Sequence, residues 1–417
     1  MAQPQVLIVG GGMITHDQIL PSLYHMQRQD RVGEISVCSS SAKTVRSLAH
    51  AENLLRAFPG QRFRAYPDPH HPSHLGPDLF RDVIAAMPPR NIVVAAVPDQ
   101  IHFDVIMTAL RHNQHVCTVK PLVLKHEQAV EIEREAYRRG LVVGVEYHKR
   151  FDDRSLMARR KYRDGAFGEF VLGTAALFEK WYYRHSNFQN WMTTENSDAF
   201  TYIGCHYVDL VHFITGLLPV AVSVYGIRDR YPNGNEGFLW TDARVIWDNG
   251  ACLNVQNGLG FPDDAPGTNT QGIVMYCKGP DIGGLITHSD QYRGLKYSYV
   301  RKPDGAGTTI YAEPSPDYFQ YLDLGGPGLV PVGYGYRSVE YIIQACIRAE
   351  AETQGLPESE ALVKRQALLK EFDAAGIMAT PGNSSYNEQV LEAGRESILN
   401  GGRMVEIRPG KSTLQSA

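Results

Sequence analysis

Three places in this sequence have the residue types and spacing to do chemistry together. The first is Gly10-Gly11-Gly12, directly after the apolar run Gln5–Val9. Glycines between a strand and a helix permit a tight turn and let the backbone approach a pyrophosphate, whose charge the helix N-terminus favours. Gly10, Gly12, Met13 and Ile14 are the candidate contacts. The match to G-x-G-x-x-G is partial, because Thr15 stands in the third glycine's place. The second is Lys120, which follows the apolar run His115–Val119 and precedes Pro121. In an open α/β sheet ligands bind outside the carboxyl ends of the strands, so a lysine there faces a bound dinucleotide. Oxidation of an alcohol needs an acceptor for the hydroxyl proton as hydride leaves the same carbon. An ammonium can hold that hydroxyl, lower its pKa and relay its proton. Lys120 reads equally as a surface lysine that ends a strand. The third is His206: in a helix, Tyr202, His206 and Asp209 are spaced i, i+4 and i+7 and share one face. A histidine titrates near neutral pH and can serve as general base, which contributes about 10²–10⁴-fold. It reads equally as a buried histidine satisfied by Asp209.

The flavour of dinucleotide stays open between NAD and NADP. NAD enzymes usually end their second strand in Asp or Glu, to hold the ribose 2′-hydroxyl. Here the run Ile35–Cys38 ends in Ser39-Ser40-Ser41, with Lys43 and Arg46 behind. No carboxylate repels a 2′-phosphate and no arginine directly follows to clamp one. Ser39, Ser40 and Lys43 are the candidate contacts.

These residues need strands that end together. Gln5–Val9, Ile35–Cys38, Asn91–Val97, His115–Val119 and Leu141–Tyr147 read as buried strands, with helices predicted over His16–Gln27, His102–Arg111 and Lys125–Arg139. Such alternation predicts a doubly wound, mostly parallel sheet in an α/β domain over residues 1–150. After about residue 150 the rhythm changes. Strands are predicted at Phe170–Phe178, Ala221–Ile227, Thr241–Trp247, Cys252–Gly258 and Gly272–Lys278, separated by turns such as Asp248-Asn249-Gly250. Sequential strands with short turns favour an antiparallel sheet. Helices at Ala199–Thr215, Arg337–Ala351, Ser359–Met378 and Ser385–Leu399 complete an α+β domain over residues 151–417 with one large sheet.

Length and composition exclude several classes. At roughly 150 residues per domain, 417 residues suggest about two or three domains. With 43% hydrophobic and 21% charged residues the chain can bury a substantial core, which excludes disorder and a disulfide-dense miniprotein. Forty-one basic against 45 acidic residues give a net charge of −4, with no basic block that would mark a nucleic-acid binder. The six cysteines (Cys38, Cys117, Cys205, Cys252, Cys277, Cys346) lie far apart without a C-x-x-C pair, which predicts free thiols in a reducing compartment. No Lys or Arg precedes Arg28, and neither a signal peptide nor a membrane span fits, so the expected location is the cytoplasm. His70-His71-Pro72-Ser73-His74 has no neighbouring Cys or Glu and reads as a solvated loop; no metal site is expected.

The order of features resembles the glucose–fructose oxidoreductase / inositol dehydrogenase / MocA (Gfo/Idh/MocA) family. The matching elements are the glycine turn with Pro21 in its helix, Val97-Pro98-Asp99-Gln100-Ile101-His102, Val119-Lys120-Pro121, Tyr147-His148-Lys149-Arg150-Phe151, Gly165-Ala166-Phe167-Gly168-Glu169 and Gly204-Cys205-His206-Tyr207-Val208-Asp209. The resemblance implies a Rossmann domain joined to an α/β domain whose large open sheet makes homodimers or homotetramers. It implies that a sugar, cyclitol or derivative is oxidised or reduced with bound nicotinamide. Val97, Pro98 and His102 would then border the cofactor and His148 the substrate. Lys120 matches the lysine of the family's E-K-P motif, with Val119 in place of the glutamate, and His206 matches the catalytic histidine. The family's aspartate four residues before that histidine is Tyr202, which can still donate or accept a hydrogen bond; Asp209 and Asp198 are close in sequence.

Glu179–Trp191 is a dense mixture of aromatic and polar residues just before the His206 helix. Aromatic faces stack on sugar rings, and Arg, Lys, Asn and Gln bind hydroxyls or an anion. Lys180, Tyr183, Arg184, His185 and Trp191 are the candidate substrate contacts, with Lys180, Arg184 and His185 together suited to a carboxylate, sulfonate or phosphate. His288–Arg293 and Tyr334–Arg337 border either the pocket or an oligomer interface. The expected activity is an NAD(P)-dependent oxidation of a secondary hydroxyl on a sugar, cyclitol or glycoside. Two alternatives stand beside it. One is an NAD-dependent glycoside hydrolase that oxidises C3 transiently, eliminates the C1 substituent and reverses the oxidation. The other is a nucleotide-bound regulator without turnover.

Overall fold

A computed structural model describes residues 3–70, 76–265, 269–280, 283–289 and 318–407. The first strands are short and, apart from the polar edge strand β3, largely apolar: β1 (Val6–Val9), β2 (Ile35–Cys38), β3 (Arg64–Tyr66), β4 (Ile92–Ala95), β5 (His115–Val119) and β6 (Val143–Glu146). Helices α1 (Leu20–Arg28), α2 (Ala42–Ala49), α3 (Glu52–Ala57), α4 (Leu79–Ala85), α5 (His102–Arg111) and α6 (His126–Arg139) alternate with them. Every residue of β1 and β4 is buried, as expected for parallel strands covered on both faces. The strands pair in the order β3-β2-β1-β4-β5-β6, all parallel, with Val9 beside both Cys38 and Ala95. The order reverses between β1 and β4, which opens a crevice at their carboxyl ends. Pro21 does not break the first helix. A π-helical turn over Thr15–Ile19 directly precedes it, so Pro21 sits where the regular i→i−4 ladder is already interrupted.

The next stretch contains α7 (Asp153–Arg163), β7 (Glu169–Lys180), the single turn α8 (Phe188–Trp191), α9 (Cys205–Thr215), β8 (Pro219–Arg230), β9 (Glu236–Trp247), β10 (Cys252–Phe261), β11 (Asn269–Lys278) and β12 (Gly283–Ser289). A small hairpin β13 (Gln320–Leu322) and β14 (Val330–Val332) follows, then α10 (Tyr334–Ala351), α11 (Glu358–Ala375), α12 (Pro381–Ser384), α13 (Tyr386–Leu399) and β15 (Val405–Glu406). The second sheet has seven strands in the order β12-β11-β7-β10-β9-β8-β15. It is not wholly antiparallel: β7 runs parallel to β10, with Leu172 beside Cys252. The long crossover through α9 supplies the connection that a parallel neighbour needs. β8 and β9 run further than their apolar cores predict. The turn over residues 231–235 lets Arg230 pair with Glu236, past a register shift at Ile227/Arg228. One face of β10 is buried through Leu253, Val255 and Leu259, whereas Leu172, Tyr225, Ile227, Tyr276 and Leu285 are about half exposed on their strands.

The chain forms two compact units. One holds residues 1–151 together with Tyr321–Glu388; the other holds Asp152–Gln320 and Gln389–Pro409. A second domain running unbroken from 151 to 417 is therefore not what the contacts outline. The reason lies in the sheet. β6 needs cover that the first 150 residues lack, and α10 supplies it with Val339, Ile342, Ile343 and Cys346, all buried. Gly144 makes this approach possible, since a Cβ there would lie 2.6 Å from Ile342 Cγ2. None of the six cysteines is in a disulfide, and burial pushes the Cys38 thiol up to about 12, so it is inert. Among the described residues no helix is long and apolar enough to cross a membrane, and no cluster of His, Cys, Asp and Glu could hold a metal.

In the same unit Asp373 lines a cavity with Ala136, Leu141, Val143, Leu369 and Met378. Burial pushes its carboxyl up to about 6, although the Thr380 hydroxyl donates to it. A carboxyl raised in the folded state stabilises the fold fully below its unfolded pKa of about 3.9 and loses that contribution as pH rises through 6. Asp373→Asn should therefore raise the unfolding free energy at pH 8 by about 3 kcal/mol and leave it nearly unchanged at pH 4. Urea melts at the two pH values check both the size and the sign.

Candidate functional site

The glycine turn is built around two different demands. Gly10 adopts φ +111°, and a Cβ there would lie 2.0 Å from the Ala96 carbonyl oxygen. Its N–H donates to Cys38 O at 2.8 Å, and its carbonyl accepts the Thr15 hydroxyl at 2.7 Å. Thr15 thus closes the turn with a side-chain hydrogen bond where the sequence pattern has a glycine. Gly12 is the opposite case: nothing lies within 4 Å of a Cβ built there. That open space, ahead of the half-buried Met13 and Ile14 and the N–H groups of the first helical turn, is a cradle of the kind a pyrophosphate fills.

At the end of β2, Ser39 N–H donates to Tyr66 O at 2.8 Å, with Ser39 half-buried and Ser40 and Lys43 exposed. Arg46 Nε donates to Pro69 O instead of facing this edge. Val97 and Pro98 follow β4 and are half-buried. His102 is fully buried, with Nε2 2.9 Å from Val97 O and Nδ1 2.8 Å from Pro121 O. It ties the segments after β4 and β5 together, and so bears on a dinucleotide only through them. Lys120 directly follows β5, half-buried, and His148 follows β6 with Nδ1 3.2 Å from Glu146 Oε2. The structure thus gathers the glycine turn, Ser39, Val97, Lys120 and His148 along one edge of the parallel sheet.

In the second unit a π-helical turn over Phe200–Gly204 leads into α9. It widens the spacing that a pure α-helix would give Tyr202 and His206; only His206 and Asp209 keep α-helical spacing, and both are buried. Gly204 is required by packing. A Cβ there would lie 2.5 Å from Phe200 Cδ2 and 2.7 Å from Asn257 Oδ1 on β10. The Tyr202 ring sits 4.8 Å from Phe188 and 5.6 Å from Trp191, and Phe188 lies 5.6 Å from Tyr183. These four rings form a continuous aromatic wall. Burial, with Glu179 and Tyr182 nearby, raises the Tyr183 phenol well above its ordinary value, so it stays a neutral donor. Asp198 is occupied by Thr201 N–H at 2.8 Å, the Thr201 hydroxyl at 3.1 Å and Arg395 at 3.5 Å.

The three expected anion ligands do different work. Lys180 Nζ donates to the carbonyls of Pro262, Asp263 and Ala265. Arg184 is 3% exposed, donates to Leu259 O at 2.8 Å and to Asp229 at 2.6 Å, and lies 3.8 Å from the Trp181 ring centroid. His185 alone of the three is exposed. A joint anion clamp does not form, because two of the three cations satisfy internal acceptors. His288 pairs with Asp152 at 2.8 Å, while residues 290–293 and 71–74 lie outside the described residues. Two residues of this region were not singled out in the sequence. Phe188 completes the aromatic wall within the segment already marked. Glu146 is legible only as the one acidic residue in the apolar run Leu141–Tyr147.

A 3-2-1-4-5-6 parallel sheet with a glycine turn at its switch point defines a Rossmann-type dinucleotide-binding unit. Residues 5–147 match the GFO_IDH_MocA family, described as an oxidoreductase family with an NAD-binding Rossmann fold. Among curated relatives, D-glucoside 3-dehydrogenase of Escherichia coli is 24% identical over 53% of this chain and 56% of its own length. The 2,7-anhydro-N-acetylneuraminate hydratase of the same organism is 23% identical over 33% of this chain and 36% of its own. The chain thus spans between about a third and just over half of these relatives. The structure of GenD2 from gentamicin A biosynthesis in complex with NAD superposes with a TM-score of 0.64 at 18% identity, covering 98% of this chain and 97% of that one. This last likeness concerns the fold.

Two substitutions separate the roles within the turn. Gly12→Ala should keep the melting temperature and weaken NADH binding by about tenfold or more, since its methyl occupies only the cradle. Gly10→Ala should lower the melting temperature whether or not NADH is present. Fluorescence titration with NADH and thermal melts check the pair. Arg184→Ala should cost about 2 kcal/mol of stability, because it strands the Leu259 carbonyl and leaves Asp229, itself 39% exposed, to water. Denaturant titration reads that loss.

Proposed function

We propose that this chain is an NAD(P)-dependent oxidoreductase acting on a secondary hydroxyl of a sugar, cyclitol or glycoside, with Lys120, His206 and Tyr202 at the reacting centre. The observation that carries the reading is the position of Lys120, directly beyond β5 on the edge where the Gly10–Ile14 turn leaves an open cradle. When bound, the nicotinamide supplies a two-electron acceptor. Lys120 donates a hydrogen bond to the substrate hydroxyl and favours its alkoxide. His206 takes the proton as general base, and the aromatic wall of Tyr183, Phe188, Trp191 and Tyr202 stacks against a sugar ring. The NAD-binding description of the matching family supports NAD, while the serines after β2 discriminate neither form. The exposed apolar residues of the second sheet, Tyr225, Ile227, Tyr276 and Leu285 among them, support a homodimer or homotetramer through that face.

A second reading is a redox-neutral glycosidase, in which oxidation at C3 acidifies the C2 proton, the C1 substituent leaves, and the carbonyl is reduced again. Tyr202 in place of a carboxylate favours it, and so does the similarity to an anhydroneuraminate hydratase. Native mass spectrometry of the purified protein, then incubation with a panel of sugars and glycosides, decides between the two. Reduced nicotinamide growing with oxidised sugar supports the dehydrogenase; released aglycone with unchanged 340 nm absorbance supports the glycosidase. Lys120→Met and His206→Asn should each cut kcat by about 10²–10⁴-fold. Turnover unaffected by both substitutions would exclude this centre.

A further inference from the structure

Glu146 ends β6 and is 2% exposed. A buried carboxylate costs several kcal/mol unless its oxygens are hydrogen-bonded. Oε1 accepts Gln18 Nε2 at 2.7 Å and the Ser338 hydroxyl, so residues from the first helix and from α10 hold the group at one end. Gln18 Nε2 is itself held by Gly335 O at 2.9 Å. Oε2 faces His148 Nδ1 at 3.2 Å. On its flank the His148 ring lies 5.4 Å from the buried Tyr334 ring at an interplanar angle of 30°.

We propose that Glu146 is a positioning residue that fixes the tautomer of His148 and so makes its Nε2 a hydrogen-bond acceptor for a substrate hydroxyl. This rests on the reading that the edge of the parallel sheet faces a polyol. An ionised carboxylate can only accept, so the imidazole must donate from Nδ1, and the neutral ring then carries its lone pair on Nε2. The same logic lets a carboxylate orient the histidine of a hydrolase triad. Placement supports the role. Val119 pairs with Glu146, so Lys120 leaves β5 one residue past that rung and His148 leaves β6 two residues past it. The site would therefore select substrates that present a hydroxyl hydrogen beside the reacting carbon. A methoxy or keto group at that position offers only acceptors.

Glu146→Gln tests this directly. The amide oxygen can still accept from Gln18 and Ser338, which turns the NH₂ toward Nδ1 and moves the imidazole hydrogen to Nε2. Nitrogen-15 spectra of histidine-labelled protein, assigned with His148→Gln, should show Nδ1–H in the wild type and Nε2–H in Glu146→Gln. On a hydroxyl substrate KM should rise about tenfold with kcat changed less than about threefold, and a methoxy analogue should lose its disadvantage. Adding Glu146→Gln to His148→Ala should change KM no further. A wild-type Nε2–H tautomer overturns the inference, and that spectrum decides the point even if Glu146→Gln fails to fold. A tautomer that switches while KM stays unchanged overturns the recognition role. If no sugar or glycoside is turned over, the proposed function fails, while the wild-type spectrum still decides whether Glu146 sets the tautomer.

Discussion

Strands β1 and β4 approach so closely at their carboxyl ends that the carbonyl of Ala96 occupies the place of a side chain on Gly10. This contact sets the geometry of the first unit. It places the turn at the point where strand order reverses, so the segments after β1 and β4 diverge to opposite sides and leave a crevice between them. Gly12 then lies over that crevice with nothing beside it. One glycine is demanded by the protein's own backbone and the other leaves room for something else. The strand ends carrying Val97, Lys120 and His148 inherit their positions from the same sheet.

Both regions that hold the candidate chemistry open with a π-helical turn, Thr15–Ile19 in one unit and Phe200–Gly204 in the other. Such turns are rare and concentrate at functional sites. In the first, the turn carries the chain into α1 immediately ahead of Pro21. In the second, it brings Gly204 against Asn257 and swings Tyr202 into the aromatic wall. A helix of regular pitch would place neither residue there.

The parallel sheet was legible in the sequence where its strands are apolar and its helices alternate with them; β2, β5 and α5 match their predicted spans, whereas the polar three-residue β3 carried no such signal. The second sheet was legible only at its apolar centres. Its ends are polar and glycine-rich, and hold together through hairpin pairing such as Arg230 with Glu236. The parallel pairing of β7 with β10 depends on contacts far apart in sequence, which no local pattern encodes. Lys180 and Arg184 carry a similar lesson. Their charge suggested an anion, yet the nearest acceptors are carbonyls and Asp229 of neighbouring strands. His102 stood in a cofactor-lining motif and is a strap between two loops. Residue type located these side chains well, and long-range hydrogen bonding determined what each of them does.

The return of α10 to the first unit makes the second unit an insertion within it. On the ribosome, β1 to β6 emerge with the face of β6 at Gly144 bare. Some 170 residues of another unit are synthesised before Ile342 arrives to cover it. The nucleotide-binding sheet therefore cannot finish burying itself as an early, independent module, as an N-terminal domain usually does. Its completion waits on nearly the whole chain, which couples the quality of the crevice to the successful synthesis of everything that follows it.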